Sequence, residues 1–211
     1  MPTPSRTSTR PTPAKDALLE AACQLFYTQG IRGTSVDAIL DRAGVARQSL
    51  YQHFESKDGL VAAFLNVRDE RWCGWMNSFI EAASDDPLAR VYAIYDFLDD
   101  WFSQSDFSGC AFINTAAEYS NPEHPFHILS SQHKARVLGD IERLCKDAAL
   151  PDHKALARQL ALLMEGAIVT EQVTPRSNAA AEAKGIARVL IQSRSSTSST
   201  TPARKTTRSK K

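Results

Sequence analysis

Residues 34–61 read TSVDAILDRAGVARQSLYQHFESKDGLV, and the fold is decided in this stretch. Thr34 or Ser35 stands where a helix N-cap is wanted, with Asp37 near the position of a capping box, so a helix is expected over Val36 to Ala43. Gly44 ends it. Another helix follows at once over Ala46 to His53, and Ser56 caps a further one beginning at Lys57. Two helices of two turns each, joined by a glycine-containing turn, cannot bury their apolar faces alone. Upstream, Leu18, Ala21, Ala22, Leu25 and Phe26 fall on one face of a helix that should end near Gly30. That helix supplies the missing lid, and the three describe a helix-turn-helix with a supporting third helix.

The second helix of such a motif enters the DNA major groove, which is about 12 Å wide and admits one helix. Here Val45, Leu50 and Phe54 are the inward anchors, which leaves Arg47, Gln48, Ser49 and Gln52 facing outward. Arginine pairs bidentately with guanine, glutamine with adenine, and serine with donors or acceptors. No carboxylate lies among them to repel phosphate. A solvated polar helix has the same composition, so the reading rests on the neighbouring residues as well.

Those neighbours carry a resemblance. Thr34-Ser35-Val36, Ala43-Gly44-Val45, Leu50-Tyr51-x-His53-Phe54 and Ser56-Lys57, with the upstream Ala21-Ala22-x-x-Leu25-Phe26-x-x-x-Gly30, resemble the DNA-binding domain of the TetR family of bacterial transcriptional repressors over residues 14–61. The resemblance implies that Tyr51, His53 and Lys57 contact phosphate, and that Thr34 and Ser35 do so from a helix N-terminus, where free N–H groups favour anions. Each has a plainer alternative: Tyr51 as a packing ring, Ser35 as a cap. Two departures stand out. Leu40 occupies a place where the family often has a small residue, which affects the angle between the two helices. Gln48 stands where the family often has glycine, which implies an operator of its own.

Downstream, the periodicity stays helical. Val91, Ile94, Tyr95, Leu98, Trp101 and Phe102 repeat the pattern, and strand alternation with hairpin dipeptides is absent, so the expected class is all-α. Leu156, Leu160, Leu162, Leu163, Met164, Ala167, Ile168 and Val169 are apolar nearly all round their helix, and the next segment carries Gly185, Ile186, Val189 and Leu190. One helix facing one core needs only a stripe, so a second buried face implies another surface. A helix wholly buried in a monomer would look the same. In the resembled family the last two helices form a four-helix dimer bundle, which implies Leu160, Leu163, Met164, Ala167, Ile168, Ile186, Val189 and Leu190 as the dimer face.

Gly109-Cys110-Ala111-Phe112-Ile113-Asn114-Thr115-Ala116-Ala117-Glu118 resembles a signature in one subgroup of the family's C-terminal domains. With Trp101, Phe102, Phe107 and Phe126 nearby, Cys110, Phe112, Asn114 and Glu118 are candidate walls and polar groups of a small-ligand cavity, or simply core. Cys110 at a helix start is also a candidate reactive thiol, set against an inert buried cysteine.

The composition agrees with a globular chain: 211 residues, 43% hydrophobic and 23% charged. Four well-separated cysteines without metal-finger spacing suggest reduced thiols in a cytosol. The longest apolar run, Leu160 to Val169, is broken by Glu165, and the N-terminus lacks a secretory apolar segment, so a cytoplasmic protein without a membrane anchor is expected. The net charge of +1 hides an acidic middle and a basic end, because residues 194–211 hold six Lys and Arg and no acid. The expected organisation is a disordered basic arm (1–13), a DNA-binding domain (14–57), a ligand-binding and dimerisation domain (58–193) and a disordered basic tail (194–211). The N-terminal arm with Arg6, Arg10 and Lys15 could lie in an adjacent minor groove, and the C-terminal tail could add non-specific affinity for DNA through counterion release or act only as a solvated solubility tail.

The expected function is a homodimeric, ligand-responsive repressor that binds double-stranded DNA at an inverted-repeat operator and is released by a small molecule, without cofactor or metal. An enzyme would have to use His124, His127, His133, Glu118 and Glu123, among which no nucleophile–base–orienter set is visible. His124-Pro125-Phe126-His127 is a conceivable metal site, but its proline disrupts helical ligand spacing. A purely structural interaction module leaves Arg47, Gln48 and Lys57 unexplained.

Overall fold

The computed structural model describes residues 14–198; the N-terminal arm and the tail beyond Ser198 lie outside the described residues. Among those described there are nine α-helices and no strand: α1 (Ala14–Gln29), α2 (Val36–Ala43), α3 (Arg47–Phe54), α4 (Lys57–Ala83), α5 (Pro87–Phe102), α6 (Ala111–Glu118), α7 (Pro125–Asp147), α8 (His153–Val173) and α9 (Ala179–Ser198). None of these helices is long and apolar enough to cross a membrane.

The chain forms two compact units whose boundary does not follow the expected break at residue 57. Among the described residues, the first unit takes the chain up to Gly74 together with Ser108–Lys134. In it α1 packs on α2 and α3, and Leu18, Ala22, Phe26, Ile39, Leu50 and Phe64 are buried. An eight-residue helix is not stable alone in water. α3 is held by burying Leu50 and Phe54, each worth about 1.5–3 kcal/mol. The segment from Ser108 joins this unit because both ends of α6 are fastened to α1 and the loop after it. At one end the Tyr27 hydroxyl donates to the Gly109 carbonyl (2.9 Å) and accepts from the Ser108 amide (3.0 Å). At the other, the Glu118 carboxylate accepts the amides of Ile31 (2.9 Å) and Arg32 (2.6 Å).

The second unit takes Trp75–Phe107 and the chain from Ala135 on. α5, α8 and α9 pack on one another, and the buried Tyr95 hydroxyl donates to the Leu160 carbonyl at 3.1 Å. α5 starts as its sequence dictates, with Asp86 accepting the amides of Leu88 and Ala89 and Pro87 in the first turn. The turn from α8 to α9 is organised by Glu171. Burial opposes the charge on Glu171, but hydrogen bonds from the Ser177 hydroxyl (2.6 Å), the Arg176 amide (2.6 Å) and the Ser177 amide (3.1 Å) outweigh it and hold the carboxyl below its ordinary range. α9 runs five residues past the expected start of the basic tail. Arg194 is bound there, donating to Gln159 (2.9 Å) and pairing with Asp152 (3.5 Å), which draws the helix on.

All four cysteines are free thiols. Burial pushes Cys23 and Cys145 up to about 11, so both stay protonated at neutral pH.

Candidate nucleic-acid interface

The turn between α2 and α3 is built as the sequence indicates. The Ser35 hydroxyl accepts the Ala38 amide at 3.1 Å, and Gly44 closes α2 in the left-handed conformation (φ 65°) with its amide on the Leu40 carbonyl. Asp37 is two residues after the Ser35 cap, one short of the position a capping box uses, and it pairs with the Arg47 guanidinium on the next helix. α4 begins with the Ser56 hydroxyl accepting the Gly59 amide at 3.0 Å.

Seen from α3, one face is buried through Leu50 and Phe54, with Val45 half-buried beside them. Arg47, Gln48, Tyr51, Gln52 and His53 are exposed on the other side, and Ser49 is half-buried. This set presents guanidinium, amide, phenol and imidazole groups from a single two-turn helix, the donor and acceptor types that base edges and phosphates accept. The Arg47 charge is favoured by the Tyr51 hydroxyl and by Asp37. That carboxylate was invisible in the α3 sequence, since it comes from α2. It gives Arg47 a partner in the absence of DNA, in an exposed pair that water and salt screen.

Two expected phosphate contacts, Thr34 and Lys57, look different in the structure. Thr34 is buried, 1% exposed, and its hydroxyl donates to the Gly30 carbonyl at 2.7 Å. It closes the α1–α2 loop and faces inward, while Ser35 beside it is exposed. Lys57 is half-buried, with its ammonium donating to the Ile31 carbonyl at 2.7 Å and lying 5.9 Å from the Phe26 ring centre. It secures the same loop.

The candidate ligand residues are divided between the two units. Trp101, Phe102 and Phe107 make an aromatic cluster in the second unit, with ring centres 5.0–6.0 Å apart. Phe102 borders a depression shared with Asp99, Ser103, Arg176 and Asn178. Cys110, Phe112, Asn114, Glu118 and Phe126 belong to the first unit. There Asn114 donates to the Ser108 carbonyl (3.0 Å), Phe126 packs edge-on against Tyr119, and Phe112 stacks on His133 at 3.7 Å. Glu118, read from sequence as a ligand-orienting group, has both oxygens on the α1–α2 loop amides and is a strut of the fold. Cys110 is the N-cap residue of α6 and buried, with the Lys134 ammonium 3.3 Å from its sulfur.

The candidate dimer face is also divided. Leu160, Met164, Ala167 and Ile168 are buried within their own chain, at most 4% exposed, so they belong to the core. Leu163 and Leu190 are half-buried. Ile186 and Val189 are exposed, as are Leu162, Val169 and Val173, which sit on other faces of the same two helices from the buried residues. Apolar periodicity showed that α8 had two faces; it did not show which one the chain itself covers.

Residues 18–64 match the sequence pattern described as bacterial regulatory proteins, tetR family. The chain is 22% identical over 154 residues, 73% of its own length and 81% of the relative's, to the HTH-type transcriptional regulator YjdC of Escherichia coli (strain K12). It is 39% identical over 89 residues to the HTH-type transcriptional repressor KstR2 of Mycolicibacterium smegmatis, covering 42% of this chain and 43% of that one. The crystal structure of SCO4454, a TetR-family regulator from Streptomyces coelicolor, is similar at a TM-score of 0.82 and 27% identity, over 92% of this chain and 98% of that chain. Residues 18–64 thus carry the helix-turn-helix of the TetR family of DNA-binding transcriptional regulators, on a fold shared along nearly the whole chain with such a regulator.

Proposed function

We propose that this regulator is a cytoplasmic repressor that sits on an inverted-repeat operator as a homodimer and leaves it when a small molecule binds the helical region after the helix-turn-helix. The observation that carries the reading is α3, anchored through Leu50 and Phe54 while Arg47, Gln48, Tyr51, Gln52 and His53 stand out from the opposite side. Repression is supported by the similarity to KstR2, a named repressor. Selection from a pool of random duplexes tests it: an inverted repeat should be enriched, with half-sites about 34–36 Å apart or a multiple of that spacing. Gln48→Ala should cost about 1–3 kcal/mol on the selected duplex and leave binding to unrelated DNA unchanged. Equal losses on both would remove Gln48 from base reading.

Dimerisation is assigned to the exposed apolar residues of α8 and α9. Leu162, Val173 and Val189 are 72%, 76% and 65% exposed, unusual for side chains that gain from leaving water. An isologous interface would cover them from a second copy. The double variant Leu162→Arg/Val173→Arg should sediment as a monomer and lose about 100-fold or more in operator affinity, since the second half-site is no longer engaged by a linked partner. A variant that stays dimeric would place the interface elsewhere. Release needs only an effector that favours an arrangement of the pair whose two α3 helices no longer match the half-site spacing.

A further inference from the structure

One cluster in the first unit is not used by any of these roles. Asp69 and Cys73 lie four residues apart on the same face of α4, and His133 comes to meet them from α7. Their donor atoms, Asp69 Oδ1, Cys73 Sγ and His133 Nδ1, all lie within 4.8 Å of one another. The pairs are 2.6 Å for His133–Asp69, 3.6 Å for Cys73–Asp69 and 4.0 Å for Cys73–His133.

The geometry distinguishes two chemistries that the same residues can serve. A nucleophilic Cys–His–Asp triad uses opposite nitrogens of the ring, one toward sulfur and one toward the carboxylate. Here thiol and carboxylate converge on the same nitrogen, Nδ1. Three donors gathered around one nitrogen suit metal coordination better than a proton relay. In a tetrahedral zinc site, bond lengths of about 2.0–2.3 Å put the ligand atoms roughly 3.3–3.8 Å from each other. The two distances to sulfur already lie close to this range. The Asp69–His133 pair has to open by under 1 Å once a cation sits between them.

The surroundings suit a bound ion. The imidazole ring is gripped by Phe112, stacked at 3.7 Å, and by the edge of Trp72 at 5.4 Å, so Nδ1 is held in place. Cys73 and His133 are buried, while Asp69 is only half-buried and leaves a solvent side for entry and for a fourth, water ligand.

We infer that Asp69, Cys73 and His133 bind a thiophilic divalent transition ion, of which zinc is the representative, through one carboxylate oxygen, one thiolate and one imidazole nitrogen. Thiolate and imidazole together select against magnesium and calcium. Binding releases the thiol proton to solvent and uses the Nδ1 lone pair of a neutral imidazole whose ring proton sits on Nε2, so no redox step is needed. From sequence no metal site is expected, and the one conceivable pair, His124 and His127, is a different place in the chain. The Asp69-x-x-x-Cys73 spacing was legible, but its third ligand is sixty residues from Cys73.

The test is a cobalt titration of the metal-free full-length chain, without DNA, so its outcome is independent of the operator reading. One equivalent of cobalt should give a thiolate-to-metal charge-transfer band with the visible absorption of a four-coordinate ion, and zinc should bleach both. Cys73→Ser should abolish the charge-transfer band. Asp69→Asn, at a half-exposed position that tolerates the change, should weaken cobalt binding by about tenfold or more while circular dichroism stays native. If Cys73→Ser fails to fold, the Asp69→Asn titration decides. Absence of a thiolate band in the unmodified chain, a band of equal strength in folded Cys73→Ser, or unchanged affinity in Asp69→Asn would each overturn the site.

Discussion

Gly59→Ala should unfold or severely weaken the helix-turn-helix and abolish operator binding. In an ordinary helix position this change stabilises by about 1 kcal/mol, because alanine is the better helix former. Here the added Cβ would lie 2.0 Å from the Phe54 carbonyl oxygen and 3.1 Å from its carbon. Both are backbone atoms, so no side chain can turn aside. The chain between α3 and α4 must move, and Phe54, the anchor at the end of α3, must move with it. Overpacking of this kind costs about 3 kcal/mol or more, which reverses the sign set by helix propensity. Thermal unfolding and a mobility shift on the same preparation would measure it. A melting temperature at or above that of the unmodified chain would show that the close approach is not a constraint.

Glu118→Gln and Glu118→Ala should each destabilise the first unit by about 2 kcal/mol. The carboxylate accepts two backbone amides, and hydrogen bonds to a charged group contribute about 1.5–3 kcal/mol each. We discount the sum because the Arg32 amide is on the exposed side, where water can replace the carboxylate. Glutamine is a poor substitute despite its shape: one oxygen can still accept, but its NH2 would face a second donor. The same carboxylate lies over Gly30, whose φ of 79° and lack of a Cβ allow the approach; a Cβ there would sit 2.9 Å from Glu118 Oε1. Amide hydrogen exchange gives the local readout. Ile31 and Arg32 should lose protection in both variants, and native protection at these two amides would refute the strut.

Much of the fold could be read along the chain because it is local. The limits of α2, the left-handed glycine after it and the Ser56 cap of α4 each depend on residues within one or two turns. The inward positions of Leu50 and Phe54 followed from spacing alone. What failed, failed for a common reason. Thr34 and Ser35 are equal candidates as a string, yet the loop turns one hydroxyl onto Gly30 and leaves the other on the surface. Lys57 reads from the sequence as a phosphate contact and Glu118 as a ligand-orienting group, because their partners, Ile31 and Arg32, are twenty-six and eighty-six residues away. Polar side chains advertise that they will find a partner but not which one.

The line of amino acids was enough to establish helix as the sole periodicity, the position of the helix-turn-helix and the residue types that α3 offers to DNA, since these depend on spacing and backbone preference within a few turns. It could not establish which apolar face of α8 is covered by the chain, that Asp37 guards Arg47, or that Asp69 and Cys73 meet His133. Those facts arise when distant helices pack, because side-chain partnership is a property of position in space, and separation along the chain carries almost no information about it.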